Sequence, residues 1–313
     1  MPLWIPVTIF AAFMQNLRFL LQRHLKVTTL STGGATWARF LYSTPLVVLI
    51  IAVYAPLSGH VVPDMNSRFW VFVISGGMAQ MLATMCVVAL FARRNFAVGV
   101  TLKKTEVILT ALIGMVVLDE AVSPPVIAAI ALGFAGVLLL SDPPGRDVAL
   151  PWRMRVFNAA SGYGLASGIL FGVSAVGYRG AALSLAGDDV FLRAACTLAV
   201  ATAAQTLTLG VWLAWRERGE IARVLASWRV SGLVGLTSML GSLGWFTAFT
   251  LQSAAYVKAL GQIELVFTFL FSVYWLRERS STKEVGGIVL IVASVGMIFA
   301  GSVLWSPSRF SSH

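Results

Sequence analysis

At 313 residues, 58% hydrophobic and only 12% charged, with a mean hydropathy of +0.84, the chain carries about half the charged fraction of an ordinary soluble domain. A water-soluble fold has too little interior to hide that much apolar surface. The formal net charge of +10 suggests a polyanionic partner at first sight, but the cations are scattered between apolar runs and form no single basic patch, so nucleic acid is not expected.

In chain order, ten apolar windows follow one another: 3–21, 34–54, 69–91, 96–118, 124–140, 159–178, 190–213, 230–251, 256–276 and 285–304. Each has about the 17 to 25 residues needed to cross a bilayer core of roughly 30 Å. Windows of that length suit helices, which satisfy their own backbone in lipid, better than strands. The first begins at Leu3 with no basic segment before it and no small-residue cleavage site after it, so it reads as a retained helix rather than a signal peptide. Cys86 and Cys196 both fall inside windows, and no disulfide is expected.

The connections are short and leave no room for a soluble domain. Arg23 and Lys26, Arg93 and Arg94, Arg146, Arg153 and Arg155, Arg216, Arg218, Arg223 and Arg229, then Arg277, Arg279 and Lys283 all lie in odd-numbered connections. Asp64, Asp119, Glu120, Asp188 and Asp189 lie in even ones. By the positive-inside rule the odd connections face the cytoplasm, which places the chain in the inner (plasma) membrane with both termini outward. Enzyme chemistry finds no support. His24, His60 and His313 sit in connections or at the end, no residue set has metal-ligand spacing, no cofactor is expected, and Asp188-Asp189 reads as a solvated loop.

Two stretches repeat at a constant offset of 158 residues: Leu102, Glu106, Thr110, Leu118, Glu120 and Ser123 match Leu260, Glu264, Thr268, Leu276, Glu278 and Ser281. The expected fold is therefore an all-α polytopic membrane protein of about ten transmembrane helices. Residues 1–140 form a first five-helix repeat, 141–158 a cytoplasmic connection, 159–304 a second repeat and 305–313 a short tail. Five is odd, so equivalent helices cross in opposite directions and the repeats are inverted.

Lys104-Thr105-Glu106 through Leu118-Asp119-Glu120 and Gly261-Gln262-Ile263-Glu264 through Leu276-Arg277-Glu278 are each followed by a glycine-bearing helix, with Gly133 and Gly136 in one and Gly286, Gly287 and Gly296 in the other. On these segments the chain resembles the EamA-type branch of the drug/metabolite transporter superfamily. The resemblance implies ten helices in two inverted repeats, a cavity between the first four helices of each, and transport of small organic solutes such as amino acids, nucleotide-linked sugars, vitamins or drugs. One departure is that Val107 and Leu265 stand where many such proteins have Pro directly after the buried glutamate.

Candidate substrate-binding residues follow from depth and helix face. If the fourth and ninth windows are continuous helices, Glu106 lies about 15 Å and Glu264 about 12 Å into its span, near the midplane. Charges there face protein or water. Lys103, Glu106 and Thr110 share a face, while Lys104 turns about 100° aside from Lys103. Lys258 and Gln262 accompany Glu264. A purely structural alternative has Lys103 pair with Glu106 as a helix tether.

In the first window Gln15, Asn16 and Arg18 form a polar cluster, with Arg18 either lining a cavity or snorkelling to the cytoplasmic edge. Gln80 is either a helix–helix bond or a cavity donor, Trp245 either a cavity wall or an interfacial aromatic, and Glu120 and Glu278 are expected to close tight turns by bonding the next helix's N–H groups. The functional expectation is a secondary transporter with alternating access for a small polar, zwitterionic or amphoteric metabolite. Lys258 or Lys103 would take its anionic group and Glu264 or Glu106 its cationic group. The expected partners are that substrate, the lipid bilayer and coupled protons. Glu264, with no cation three or four residues away, is the better proton carrier. A channel or facilitator, and a non-transporting receptor or scaffold, remain the alternatives.

Overall fold

The computed structural model describes residues 1–90, 102–140, 159–274 and 282–304. The start of the fourth window at Phe96, the connection 141–158, the closing Leu276-Arg277-Glu278 with Ser281, and the tail 305–313 lie outside the described residues. So do Arg93, Arg94, Arg146, Arg153, Arg155 and Arg279 of the orientation argument.

The described residues form α-helices and no strand: α1 (Trp4–Thr28), α2 (Thr32–Ser58), α3 (Ser67–Leu90), α4 (Glu106–Leu118), α5 (Pro124–Leu140), α6 (Ala159–Ser184), α7 (Val190–Arg216), the short α8 (Glu220–Ala226), α9 (Trp228–Leu251), α10 (Ala254–Leu260), α11 (Glu264–Tyr274) and α12 (Thr282–Leu304). Among the described residues seven helices are long and apolar enough to cross a membrane, and α4 and α5 are shorter apolar helices. Polar side chains cap the starts of α2 and α7. Ser31 accepts the Gly34 N–H at 2.9 Å to start α2, and Asp189 accepts the Leu192 N–H at 2.7 Å to start α7.

The principal seams each join one helix from residues 1–140 to one from 159–304: α3 with α6, α1 with α9, α2 with α7, and α5 with α12. Without a hydrophobic effect inside lipid, such seams depend on close backbone approach. A Cβ on Gly177 would come within 2.9 Å of the Gly76 Cα, and one on Gly136 within 2.7 Å of the Gly287 carbonyl oxygen. Gly286, next to Gly287, faces open space. Ser294 secures the second seam by donating to the Ala129 carbonyl at 2.7 Å.

The two predicted spans that carry the repeated glutamates are not continuous. Helix stops at Lys103, Lys104 and Thr105 form a turn, and α4 begins at Glu106. Helix α10 ends at Leu260, a 3-10 turn runs Gly261–Ile263, and α11 begins at Glu264. Local bonding explains the first break, because the Thr105 N–H and hydroxyl both donate to the Leu102 carbonyl, at 3.2 and 2.7 Å. At the second, Gly261 lies against the Trp245 ring, where a Cβ would collide.

Two loop expectations change. Glu120 forms an ion pair with Arg179 of α6 instead of bonding the next helix's N–H groups. Arg179 also donates to the carbonyls of Phe249 and Gln252 at the end of α9. Asp189 is no solvated loop residue: besides capping α7 it accepts from the Tyr54 hydroxyl at 2.9 Å and lies 3.5 Å from His60. Burial by itself would raise the Asp189 pKa. The Leu192 N–H, the Tyr54 hydroxyl, His60 and the Phe191 N–H outweigh it and hold the carboxyl below its usual value.

Candidate functional site

Each break puts its glutamate at the first residue of a helix, where unpaired N–H groups favour a carboxylate. Each glutamate then meets a lysine from the opposite half. Lys104 Nζ lies 2.6 Å from Glu264 Oε1, with both side chains buried, and Lys258 Nζ lies 3.6 Å from Glu106 Oε1. The tether expected between Lys103 and Glu106 is replaced by these crossed pairs. In an unbroken helix Lys104 and Glu106 would point about 200° apart; the turn at residues 104–105 frees Lys104 to reach across.

Helix α1 completes the Glu264 environment. Gln15 donates to Glu264 Oε2 at 2.6 Å, and Asn16 donates to the Glu264 carbonyl at 3.3 Å and to the Thr268 hydroxyl at 2.9 Å. Glu264 had been singled out as proton carrier because no cation lay near it on its own helix. The Lys104 contact removes that argument.

Lys103 points elsewhere, its ammonium 5.1 Å from the Phe19 ring centre and 5.2 Å from that of Phe171. Lys258 lies 5.0 Å over the Trp245 ring. Trp245 is itself buried, which excludes an interfacial position. Gln262 is buried against Gly133 with its Oε1 unpartnered, as are Glu106 Oε2 and Trp245 Nε1. Arg18 does not snorkel: it is 2% exposed and donates to Gln22 at 2.7 Å. Gln80 accepts from the Tyr178 hydroxyl at 2.9 Å and from Gln205 at 3.1 Å, and faces a cavity as well.

Three adjoining cavities are lined between them by Glu106, Glu264, Lys103, Lys258, Gln262, Asn16, Arg18, Gln80 and Trp245, while Thr110 donates to the Glu106 carbonyl at 2.6 Å. A narrow inner one is lined by Arg18, Gln80, Trp245 and Lys258 together with Arg39, Tyr178 and Ser242. A middle one, also narrow, shares Gln15, Trp245 and Lys258 with the first and adds Glu106, Gln262, Lys104 and Glu264. The third and widest of these shares Lys104 and Glu264 with the middle one, adds Asn16 and Lys103, and reaches the exposed Arg23. The three are thus joined by shared lining residues, and both glutamates line the middle one. Away from these cavities, Arg179 pairs with Glu120 and the Tyr256 hydroxyl donates to Ser123 at 2.9 Å.

Sequence reasoning missed Lys104, which a continuous helix turns away from Glu106, and Arg39. Arg39 is fully enclosed and donates to Ser238 and Thr84 at 2.9 Å and to Ser242 at 3.3 Å, tying α2 to α9 and α3. The available signal for Arg39 was an arginine inside an apolar window with no carboxylate three or four residues away.

Residues 160–300 match the EamA-like transporter family model. A solved crystal structure, named only as that of a protein, shares the fold at a TM-score of 0.72 and 14% identity, covering 97% of this chain and 99% of that one. No curated protein matches the chain.

Proposed function

With residues 160–300 falling in the EamA-like transporter family, consistent with an EamA-type member of the drug/metabolite transporter superfamily, we propose that the protein is a secondary transporter that moves a small polar, amphoteric organic metabolite by alternating access. The observation that carries this reading is the crossed pairing of Lys104 with Glu264 and of Lys258 with Glu106, at two helix breaks along one run of cavities. Discontinuous helices at the junction of two halves are where transporters place their substrate sites, because backbone freed by the break lines a cavity and not lipid.

Several features support alternation. Ion pairs between opposite halves hold those halves together, and a solute bearing both charges can replace one partner of each pair. The seams also suit inverted repeats of five spans, because the partners exchange under the repeat: the pairing of α3 with α6 mirrors that of α9 with α1. In this reading the Arg23 end is cytoplasmic and open, while the Arg179–Glu120 clasp closes the outward end.

The test is flux through purified protein in lipid vesicles. Saturable uptake that is accelerated by solute on the opposite side identifies a carrier, and Glu264→Gln is expected to lower that exchange at least about tenfold. Single-channel conductance, or exchange indifferent to Glu264→Gln, overturns the reading.

A further inference from the structure

The cavities hold more positive than negative charge. Arg18, Arg39, Lys103 and Lys104 are each no more than 5% exposed, and the Lys258 side chain is 10% exposed. Against these five cations stand two carboxylates, Glu106 and Glu264, and each is already taken by a lysine. Among the described residues Arg18, Arg39 and Lys103 have no carboxylate within ion-pair distance.

Neutral groups soften these charges without cancelling them. Lys103 rests on aromatic faces, Arg39 reaches three hydroxyls, and Arg18 has one amide oxygen, from Gln22 on its own helix. Arg39 thereby braces neighbouring helices. Arg18 braces none directly, yet it is buried on the wall of the same inner cavity as Arg39 and Lys258. A buried charge with no counter-ion is costly, and the cost is relieved when a ligand brings the missing charge. Two guanidinium groups also match the planar oxygen pairs of carboxylate or phosphate. Phe171, Trp245 and Phe246 give the rest of the wall an aromatic part, beside the polar Gln15, Gln80 and Ser174.

We propose that the transported solute carries more negative than positive charge, its anionic group seated between Arg18 and Arg39 and its apolar body against the Phe171 and Trp245 rings. The inference rests on the transporter reading above and narrows its substrate class from amphoteric solutes in general to organic anions.

Thermal unfolding of the full chain in detergent tests it with probes that share one ring and differ in charge. These are benzamide, phenylalanine, benzoate, benzene-1,3-dicarboxylate and phenyl phosphate, with sodium chloride alone as a further arm. The two dianions are expected to raise Tm by about 3 °C or more at saturating concentration, above benzoate, with phenylalanine and benzamide lowest. Carboxylate against phosphate is decided by which dianion shifts Tm further. Arg18→Met is expected to weaken the better dianion tenfold or more while leaving the ligand-free Tm unchanged or raised, and Arg18→Lys to keep part of the affinity.

The proposal falls if phenylalanine or benzamide stabilises as much as the dianions, if chloride alone gives the shift, or if no anion gives one. It also falls if Arg18→Met leaves the shift intact. Counterflow in vesicles separates the two readings. Saturable exchange of phenylalanine without preference for anions removes the charge assignment and leaves the transporter. Anion-dependent Tm shifts without exchange of any probe remove the transporter and leave the anion site.

Discussion

The break in the first half and the break in the second begin a helix with the same residue and hold it differently. Glu264 has both side-chain oxygens engaged at 2.6 Å, by Lys104 and by Gln15, and Asn16 reaches its carbonyl. Glu106 has one oxygen 3.6 Å from Lys258 and the other unpartnered. A buried carboxylate closed on both sides by short charge-assisted bonds behaves as a latch. One with an open oxygen is under-satisfied by about 1 to 3 kcal/mol and gains by accepting a new donor. The difference teaches that duplicating the residue did not duplicate its contacts: Glu264 joins α11 to α1 and to the Lys104 turn, whereas Glu106 keeps one oxygen open beside Lys258. The sequence alone offers another contrast, with Lys103 on the face of Glu106 as a tether in one alternative and no cation three or four residues from Glu264.

Substitutions at the lysines break or sharpen this contrast. Lys104→Met leaves Glu264 buried without its ion-pair partner and is expected to cost about 3 to 5 kcal/mol, read by reversible unfolding in lipid–detergent bicelles. Adding Glu264→Gln to Lys104→Met should recover most of that loss, since the stranded charge goes with it; a double variant no more stable than the single one breaks the latch description.

Lys258→Met removes a longer contact and is expected to cost less, about 1 to 3 kcal/mol, while lowering exchange flux at least about tenfold. If Lys258→Met proves the more damaging to stability, the assignment of latch and receiver is inverted.

A smaller effect outside the membrane calibrates both. Asp189→Ala removes the cap of α7 and the partner of Tyr54, for about 0.5 to 2 kcal/mol. Because the folded Asp189 pKa is depressed, its contribution is fully present above the unfolded value of about 3.9 and is lost as pH falls through the lower folded value. The stability gap between wild type and Asp189→Ala should hold steady from neutral pH down to about 5 and shrink below about 4. A gap that widens on acidification contradicts the contacts at Asp189.

Legibility followed the physics of each feature. Apolar windows were plain because burial in lipid acts on composition and length, and the windows for α1, α2, α3, α6, α7 and α9 reappear as long helices. The polar residues in those windows, Asn16, Arg18, Gln80 and Trp245, were visible for the same reason: a polar or hydrogen-bonding group in an apolar run is costly unless it faces protein or a cavity. Pairings were not legible. Lys104 and Glu264 are 160 residues apart in sequence, and no periodicity within one helix connects them. Arg179 meets the carbonyls of Phe249 and Gln252 only because the fold brings the end of α9 beside it.

By itself the sequence determined a membrane-spanning helical chain, the internal repeat at Glu106 and Glu264, and the set of buried polar residues from which a site would be made. These follow from solvent preference, which each segment expresses alone. Only the tertiary structure decided where the two helices break, which lysine meets which glutamate, and that Arg18, Arg39 and Lys103 are left with positive charge to spare. Those outcomes depend on distances between segments far apart in the chain, and Coulomb attraction acts on distance and burial, not on order along the chain.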